Sequence, residues 1–204
     1  YGRVLEMMGA KVDIQLRRYG FYPAGGGEVF ATIEPCKQLR QIELIERGKQ
    51  LAAYAEAIVA GVPTDVATRE LHVLGERLHR TGVQLRTHEA QRDQGPGNAL
   101  LVTLEYEHIT EVFTAIGEKR VRAEAVAETV AIEVEDYLSS SAAVGEHLAD
   151  QVMLPMALAG GGRFTMHRLS QHAITNAEVI SRFLPIQISF EETPVRCVCS
   201  VQQR

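Results

Sequence analysis

At 204 residues, 46% of them apolar and 23% charged, the chain carries enough apolar material for one large core or two modest ones. Its net charge of −5 excludes a basic nucleic-acid-binding domain and leaves any RNA contact to local patches. The longest apolar run, 152–159, is far shorter than a membrane span and contains Pro155, and no secretory signal opens the chain, so a cytoplasmic protein is expected. Cys36, Cys197 and Cys199 make no disulfide framework and no zinc site; they read as small core residues in a reducing compartment.

In chain order, Lys11–Arg18 alternates Val12, Ile14 and Leu16 with polar neighbours, the pattern of a half-buried strand. Residues 29–33 give a second strand, stopped by Pro35, and 39–44 a third. From Gly48 the texture changes. A strand over 51–59 precedes a helix capped by Thr64 and Asp65 that runs to about His79, with Val66, Leu71, Leu74 and Leu78 facing inward. Strands follow at 83–87 and 100–105, separated by a loop over 91–98. A long amphipathic helix spans 119–138, with Val121, Ala125, Val126, Val130 and Val134 inside, and ends at three serines. This block, 48–142, is predicted as a separate small domain. Beyond it come a helix over 144–159, a short strand at 163–167, a helix over 176–184 ended by Pro185, and closing strands at 186–190 and 195–201. The outer parts, 1–47 and 143–204, read as one α/β domain interrupted by the block. The opening Tyr1-Gly2-Arg3 has no initiator Met and begins a helix already under way, so the chain reads as the C-terminal portion of something longer.

Four places carry chemistry. The run Ser170-Gln171-His172-Ala173-Ile174-Thr175-Asn176 sets a histidine between the glycine turn Gly160-Gly161-Gly162 and a predicted helix start. Backbone N–H groups gather at such a start and anions bind there, which suits an imidazole that must meet a phosphate. Position alone also suits a histidine that only caps or packs. Second, His147, Asp150 and Gln151 stand at i, i+3 and i+4 and share one helix face, with Leu148 turned to the core. A ring, a carboxylate and an amide so placed could hold a nucleoside, or form a plain solvated face. Third, Gly25-Gly26-Gly27 joins two strands as a tight turn or a close-approach loop, and it is no P-loop, since no Gly-Lys-Ser/Thr follows. Fourth, Lys119, Arg120 and Arg122 open the long helix as a solvated face or an RNA-phosphate contact.

Taken together these pieces resemble the RNA 3'-terminal phosphate cyclase family. Gly20-Phe21-Tyr22-Pro23-Ala24-Gly25-Gly26-Gly27-Glu28-Val29 is similar to its signature loop; the family usually has Arg or His just before the first glycine, where this chain has Tyr19, a departure that touches the loop's polar contact and spares its backbone. Arg92-Asp93-Gln94-Gly95-Pro96-Gly97-Asn98 and Gly117-Glu118-Lys119-Arg120 resemble motifs of an inserted domain, and Gly145-Glu146-His147-Leu148-Ala149-Asp150-Gln151 resembles the family's adenosine-binding helix. The Ser170–Asn176 run resembles the segment that carries its adenylated histidine. The resemblance implies an α/β fold of repeated units, each of two helices on a four-stranded sheet, with 48–142 as a small inserted domain of thioredoxin-like arrangement. It implies that about the N-terminal two-fifths of such an enzyme, with further ATP-phosphate contacts, lies outside this sequence. It implies ATP and Mg²⁺ (a divalent metal) as cofactors, RNA with a 3'-phosphate end as partner, His172 as nucleophile, and His147, Leu148, Ala149, Asp150 and Gln151 as nucleotide-binding residues, with no metal ligand assigned. The expected reaction is closure of the 3'-phosphate to a 2',3'-cyclic phosphodiester through adenylyl-histidine. The alternatives are a non-catalytic ribosome-assembly factor of the same family, which lacks the nucleophilic histidine, and, by fold analogy alone, an enolpyruvyl transferase.

Overall fold

The computed structural model describes residues 1–79 and 82–204. In order the elements are α1 (Gly2–Met7), β1 (Lys11–Arg18), β2 (Glu28–Glu34), β3 (Glu43–Leu44), β4 (Gln50–Ala60), α2 (Asp65–Arg77), β5 (Leu85–Ala90), β6 (Gly97–Tyr106), β7 (Thr110–Ile116), α3 (Ala123–Ser139), α4 (Glu146–Leu158), β8 (Gly161–Met166), α5 (Gln171–Phe183), β9 (Ile186–Glu192) and β10 (Cys197–Gln203). They form an α/β structure with mixed sheets.

The middle block supplies a four-stranded sheet in the order β5-β4-β6-β7. β4 runs parallel to β5 and antiparallel to β6, and β7 returns antiparallel along β6. Its two helices pack on each other and on the sheet. Val126, Val130 and Val134 of α3 are buried as the heptad-like spacing predicts, together with Ala123, Ala127, Ala131 and Tyr137. Two parts of that prediction fail: Val121 is 46% exposed because α3 starts at Ala123 and leaves it in the preceding turn, and Ala125 lies on the outward face of the helix with Thr129 and Ile132. In α2, Leu71 and Leu74 are buried as expected, and Glu70 joins them. Val66 and Leu78 are only half-buried.

The second sheet has the order β3-β8-β10-β9, with β3 parallel to β8 and the other pairs antiparallel. α4 and α5 cover it. Cys197 and Cys199 lie buried on its inner face, as their alternation implies. Cys36 departs from the expectation for the three thiols: it is exposed, its Sγ within 3.2 Å of the Gln38 carbonyl.

β1 and β2 form a two-stranded hairpin. Its cross-strand pairs Val12–Ile33, Ile14–Ala31 and Leu16–Val29 place six apolar side chains on one face. Ile14, Leu16, Val29 and Ile33 there are 54–69% exposed. The hairpin tip is fastened to the middle block. Phe21 is buried in a small cluster with Ile58, Ala60, Ala90 and Ala99, and its ring lies directly on the backbone of Gly97. A Cβ at position 97 would stand 2.3 Å from Phe21 Cγ, so only glycine fits. Arg18 pairs with Asp93 at 2.9 Å, and the Tyr19 N–H donates to Gln94 Oε1 at 3.0 Å. Two motifs far apart in sequence, 20–29 and 92–98, thus meet as a docking joint.

One continuous apolar core spans the block and its flanks, from Val4, Met8 and Leu44 through Leu104, Phe113 and Tyr137 to Met153 and Phe164. Arginines reinforce the junction. Arg3 donates to the Tyr106 and Glu107 carbonyls and to Thr110 Oγ1. The Arg47 guanidinium stacks 3.6 Å over the Tyr137 ring and donates to the Ala142 and Tyr137 carbonyls. No helix among the described residues is long and apolar enough to cross a membrane.

Candidate functional site

α4, β8 and α5 alternate in direction, so the two helices run parallel and both start at the edge where β8 ends. The local bonds fix this. Val144, just before α4, bridges Met166 at the end of β8, and its N–H donates to the Thr165 carbonyl at 2.9 Å. The Ala143 N–H donates to Thr165 Oγ1 at 2.8 Å. Deeper along the helices, Asn176 Nδ2 donates to the Asp150 carbonyl at 2.6 Å and holds α5 against α4.

His172 is exposed and is the second residue of α5. The helix begins at Gln171, five residues earlier than the apolar pattern implies, because Ser170 caps it: Ser170 Oγ accepts the Ala173 N–H at 3.1 Å. The sequence placed His172 ahead of the helix; it stands within the first turn. A second correction concerns the glycine turn. Gly160-Gly161-Gly162 opens β8, whereas His172 follows its other end, so a strand of roughly 15–20 Å separates the two. The helix tip, not the glycine run, is what surrounds this imidazole.

His147 is likewise the second residue of its helix, α4, and is exposed. Gln151 is exposed beside it and Asp150 is half-buried, while Leu148 and Ala149 are buried. The face-sharing read from i, i+3, i+4 spacing holds, and so does the inward turn of Leu148. Of the five residues, His147 lines a cavity of about 220 Å³ that opens between the start of α4, β7 and α3. Phe113, Tyr137, Glu111, Asp136, His167 and Arg168 complete much of its wall, and His172 is not among the lining residues.

The cavity wall carries groups that sequence reasoning missed. Glu111 is buried, its Oε1 accepting the Gly145 N–H at 2.7 Å, and burial raises its carboxyl to about 7 against the backbone bond and the nearby Arg47. Tyr137 is held neutral well above the usual phenol range, chiefly by burial and then by the Glu111 charge. Its hydroxyl donates to the Ala143 carbonyl at 2.9 Å. Tyr137→Phe should therefore lower unfolding stability by about 1 kcal/mol, measured by denaturant titration. Asp136 pairs with Arg168 and lies 3.6 Å from His167 Nε2; His167 Nδ1 is buried without a partner. Glu111 was missed because β7 itself was missed. In Thr110-Glu111-Val112-Phe113 the alternation that buries Phe113 buries Glu111 too, and that was the available signal.

The remaining sequence candidates fall outside this edge. Gly25-Gly26-Gly27 sits at the hairpin tip. Lys119, Arg120 and Arg122 are exposed ahead of α3, and Arg122 pairs with Glu124 at 3.3 Å, which fits the solvated-face reading. Among the described residues no group of three or more His, Cys, Asp or Glu is gathered to hold a metal ion.

The comparisons with known proteins agree with this architecture. The family model described as RNA 3'-terminal phosphate cyclase matches residues 1–190. A protein of Koribacter versatilis (strain Ellin345) named RNA 3'-terminal phosphate cyclase is 45% identical across the whole of this chain. The chain spans 58% of that relative's length. The chain belongs to the RNA 3'-terminal phosphate cyclase family.

Proposed function

We propose that the protein converts an RNA 3'-terminal phosphate to a 2',3'-cyclic phosphodiester at the expense of ATP, with His172 as the carrier of AMP. The observation that carries this reading is that an exposed imidazole stands in the first turn of one helix, while a second, parallel helix offers His147 and Gln151 at the same edge of the sheet. Neutral imidazole is a competent nucleophile near pH 7. Its ring nitrogen attacks the α-phosphate of ATP, the bond to pyrophosphate breaks, and AMP stays on His172. The free N–H groups of the first helical turn suit the phosphate charge. An oxygen of the RNA 3'-phosphate then displaces the imidazole from AMP. Finally the neighbouring ribose 2'-OH attacks the activated 3'-phosphorus, gives up its proton, and AMP leaves. That last step needs mainly orientation, since the hydroxyl is already adjacent.

His147 flanks the adenine at the mouth of the cavity, and Asp150 and Gln151 orient the nucleoside in this reading. In this reading Mg²⁺ would accompany the triphosphate and offset its charge. The block 48–142 then corresponds to the small inserted domain of thioredoxin-like arrangement, and its order β4-α2-β5-β6-β7-α3 supports that. A cytoplasmic site of action goes with the RNA substrate. The non-catalytic assembly-factor reading has no feature here in its favour, because it requires the histidine to be missing.

Intact-mass spectrometry after exposure to Mg-ATP tests the reading, with one added AMP on His172 as the expected result. No AMP on the protein under conditions where ATP is bound would sink it. His147→Ala should raise the ATP concentration for half-maximal AMP uptake about tenfold, read from labelled-ATP titrations, as a stacking contact of ~1.4 kcal/mol implies.

A further inference from the structure

The chemistry proposed above gives the block 48–142 no task, yet the block reaches the nucleotide-binding segment through one buried side chain. Glu111 of β7 is 5% exposed, and its Oε1 accepts the Gly145 N–H at 2.7 Å. Gly145 is the N-cap of α4 and has no side chain with which to cap its own helix. A Cβ built on it would lie 3.2 Å from Glu111 Oε2 and 3.3 Å from Cδ, so the carboxylate rests flat on the glycine backbone. The same carboxylate and His147, two residues into α4 from the cap, line one cavity. A carboxylate at a helix N-terminus is also favoured by the helix dipole, and Arg47 lies near it.

We infer that Glu111 is a positioning residue for the nucleotide-binding segment 147–151, and that supplying it is one task of the middle block. This rests on the cyclase reading of that segment. α4 closes its first turn without Glu111, through the Ala149 N–H to the Gly145 carbonyl at 3.0 Å. What Glu111 adds is the register of that turn against β7, and with it the place of the His147 ring at the cavity.

The test compares wild type, Glu111→Gln and Glu111→Ala. One readout is AMP uptake at varied ATP, with the half-saturating concentration and the maximal rate taken separately. The other is amide hydrogen exchange over 145–149 with no nucleotide present. For Glu111→Ala the half-saturating ATP concentration should rise roughly tenfold with the maximal rate within about twofold, and exchange at Gly145 should speed up. Glu111→Gln should restore both, since its carboxamide oxygen still accepts the Gly145 N–H. Faster exchange in Glu111→Ala with unchanged ATP dependence would overturn the inference, leaving only a helix cap, as would unchanged exchange in that variant. A wild type that takes up no AMP would overturn the cyclase reading along with it, whereas either of the other failures leaves that reading standing.

Discussion

His172→Ala should abolish AMP transfer to the protein and, with it, cyclisation of the RNA end under the proposed reading. The expected loss is at least about a thousandfold, because the proposed covalent carrier is itself removed. No other nucleophile is described in the first turn of α5: Gln171 is an amide, and the Ser170 hydroxyl is engaged with the Ala173 N–H. His172 is exposed, so removing its ring takes away no core packing, and thermal stability should stay within about 0.5 kcal/mol of wild type. The pairing of full loss with intact folding is the diagnostic. Labelled ATP with the purified variant, followed by a melting curve, gives both numbers. A variant labelled as fully as wild type would move the nucleophile elsewhere.

The second large effect is on stability and comes from Glu70. This carboxylic acid is fully buried on α2; Asn98 Nδ2 donates to Oε1 at 2.5 Å, and Oε2 has no partner. Burial, opposed by Arg69 and by the Asn98 bond, raises its pKa from the ordinary 4.5 to about 7. The sign follows from proton binding. Between those values the folded protein holds the proton and the unfolded chain has lost it, so stability falls as pH rises. Above the folded value the whole cost of the buried charge is present; below the unfolded value it vanishes. At about 1.4 kcal/mol per pKa unit the swing is of the order of 3–4 kcal/mol. Glu70→Gln keeps an oxygen for Asn98 and cannot ionise. It should therefore stabilise the protein by about 3 kcal/mol at pH 8 and by less than about 1 kcal/mol at pH 5. Denaturant unfolding at the two pH values checks this, and equal effects at both would refute it. The geometry around Asn98 leaves little room for rearrangement, since a Cβ at Gly117 would fall 1.9 Å from Asn98 Oδ1.

Much of this was legible in the chain, and the misses have physical reasons. Alternation gave β1 with both its ends, because Val12, Ile14 and Leu16 contrast with polar neighbours, but the half-burial it implied fails, since Ile14 and Leu16 are exposed. α3 gave itself away through Val126, Val130 and Val134, whereas its start was misjudged because Lys119 and Arg120 are good helix formers in sequence but lie in a turn, Arg120 with φ of 73°. The predicted strand at 39–44 shrinks to Glu43–Leu44, since only those two residues pair with β8. The strand expected from Val83 instead starts at Leu85, after a short 3-10 turn over Gly82–Gln84. The shared helix face of His147, Asp150 and Gln151 was visible because i, i+3, i+4 spacing is local, whereas the Ser170 cap that draws His172 into the first turn of α5 was not read. Glu111 and Glu70 were not, because a charged residue in sequence defaults to the surface, and only tertiary packing turns it inward. The glycine turn misled for a related reason: it is close to His172 in sequence, yet the strand β8 between them carries the chain away from it.

The uninterrupted core, running from Val4 through Phe113 to Phe164, carries a consequence for how the molecule comes apart. Side chains shared across a junction cannot be released by one side alone, so heating should melt both sheets in a single cooperative event, with calorimetric and van't Hoff enthalpies that coincide. Cutting the chain at Gly48 and Ser141 to liberate the intervening piece would expose Phe113 and Tyr106 to solvent, and that piece should be recovered insoluble.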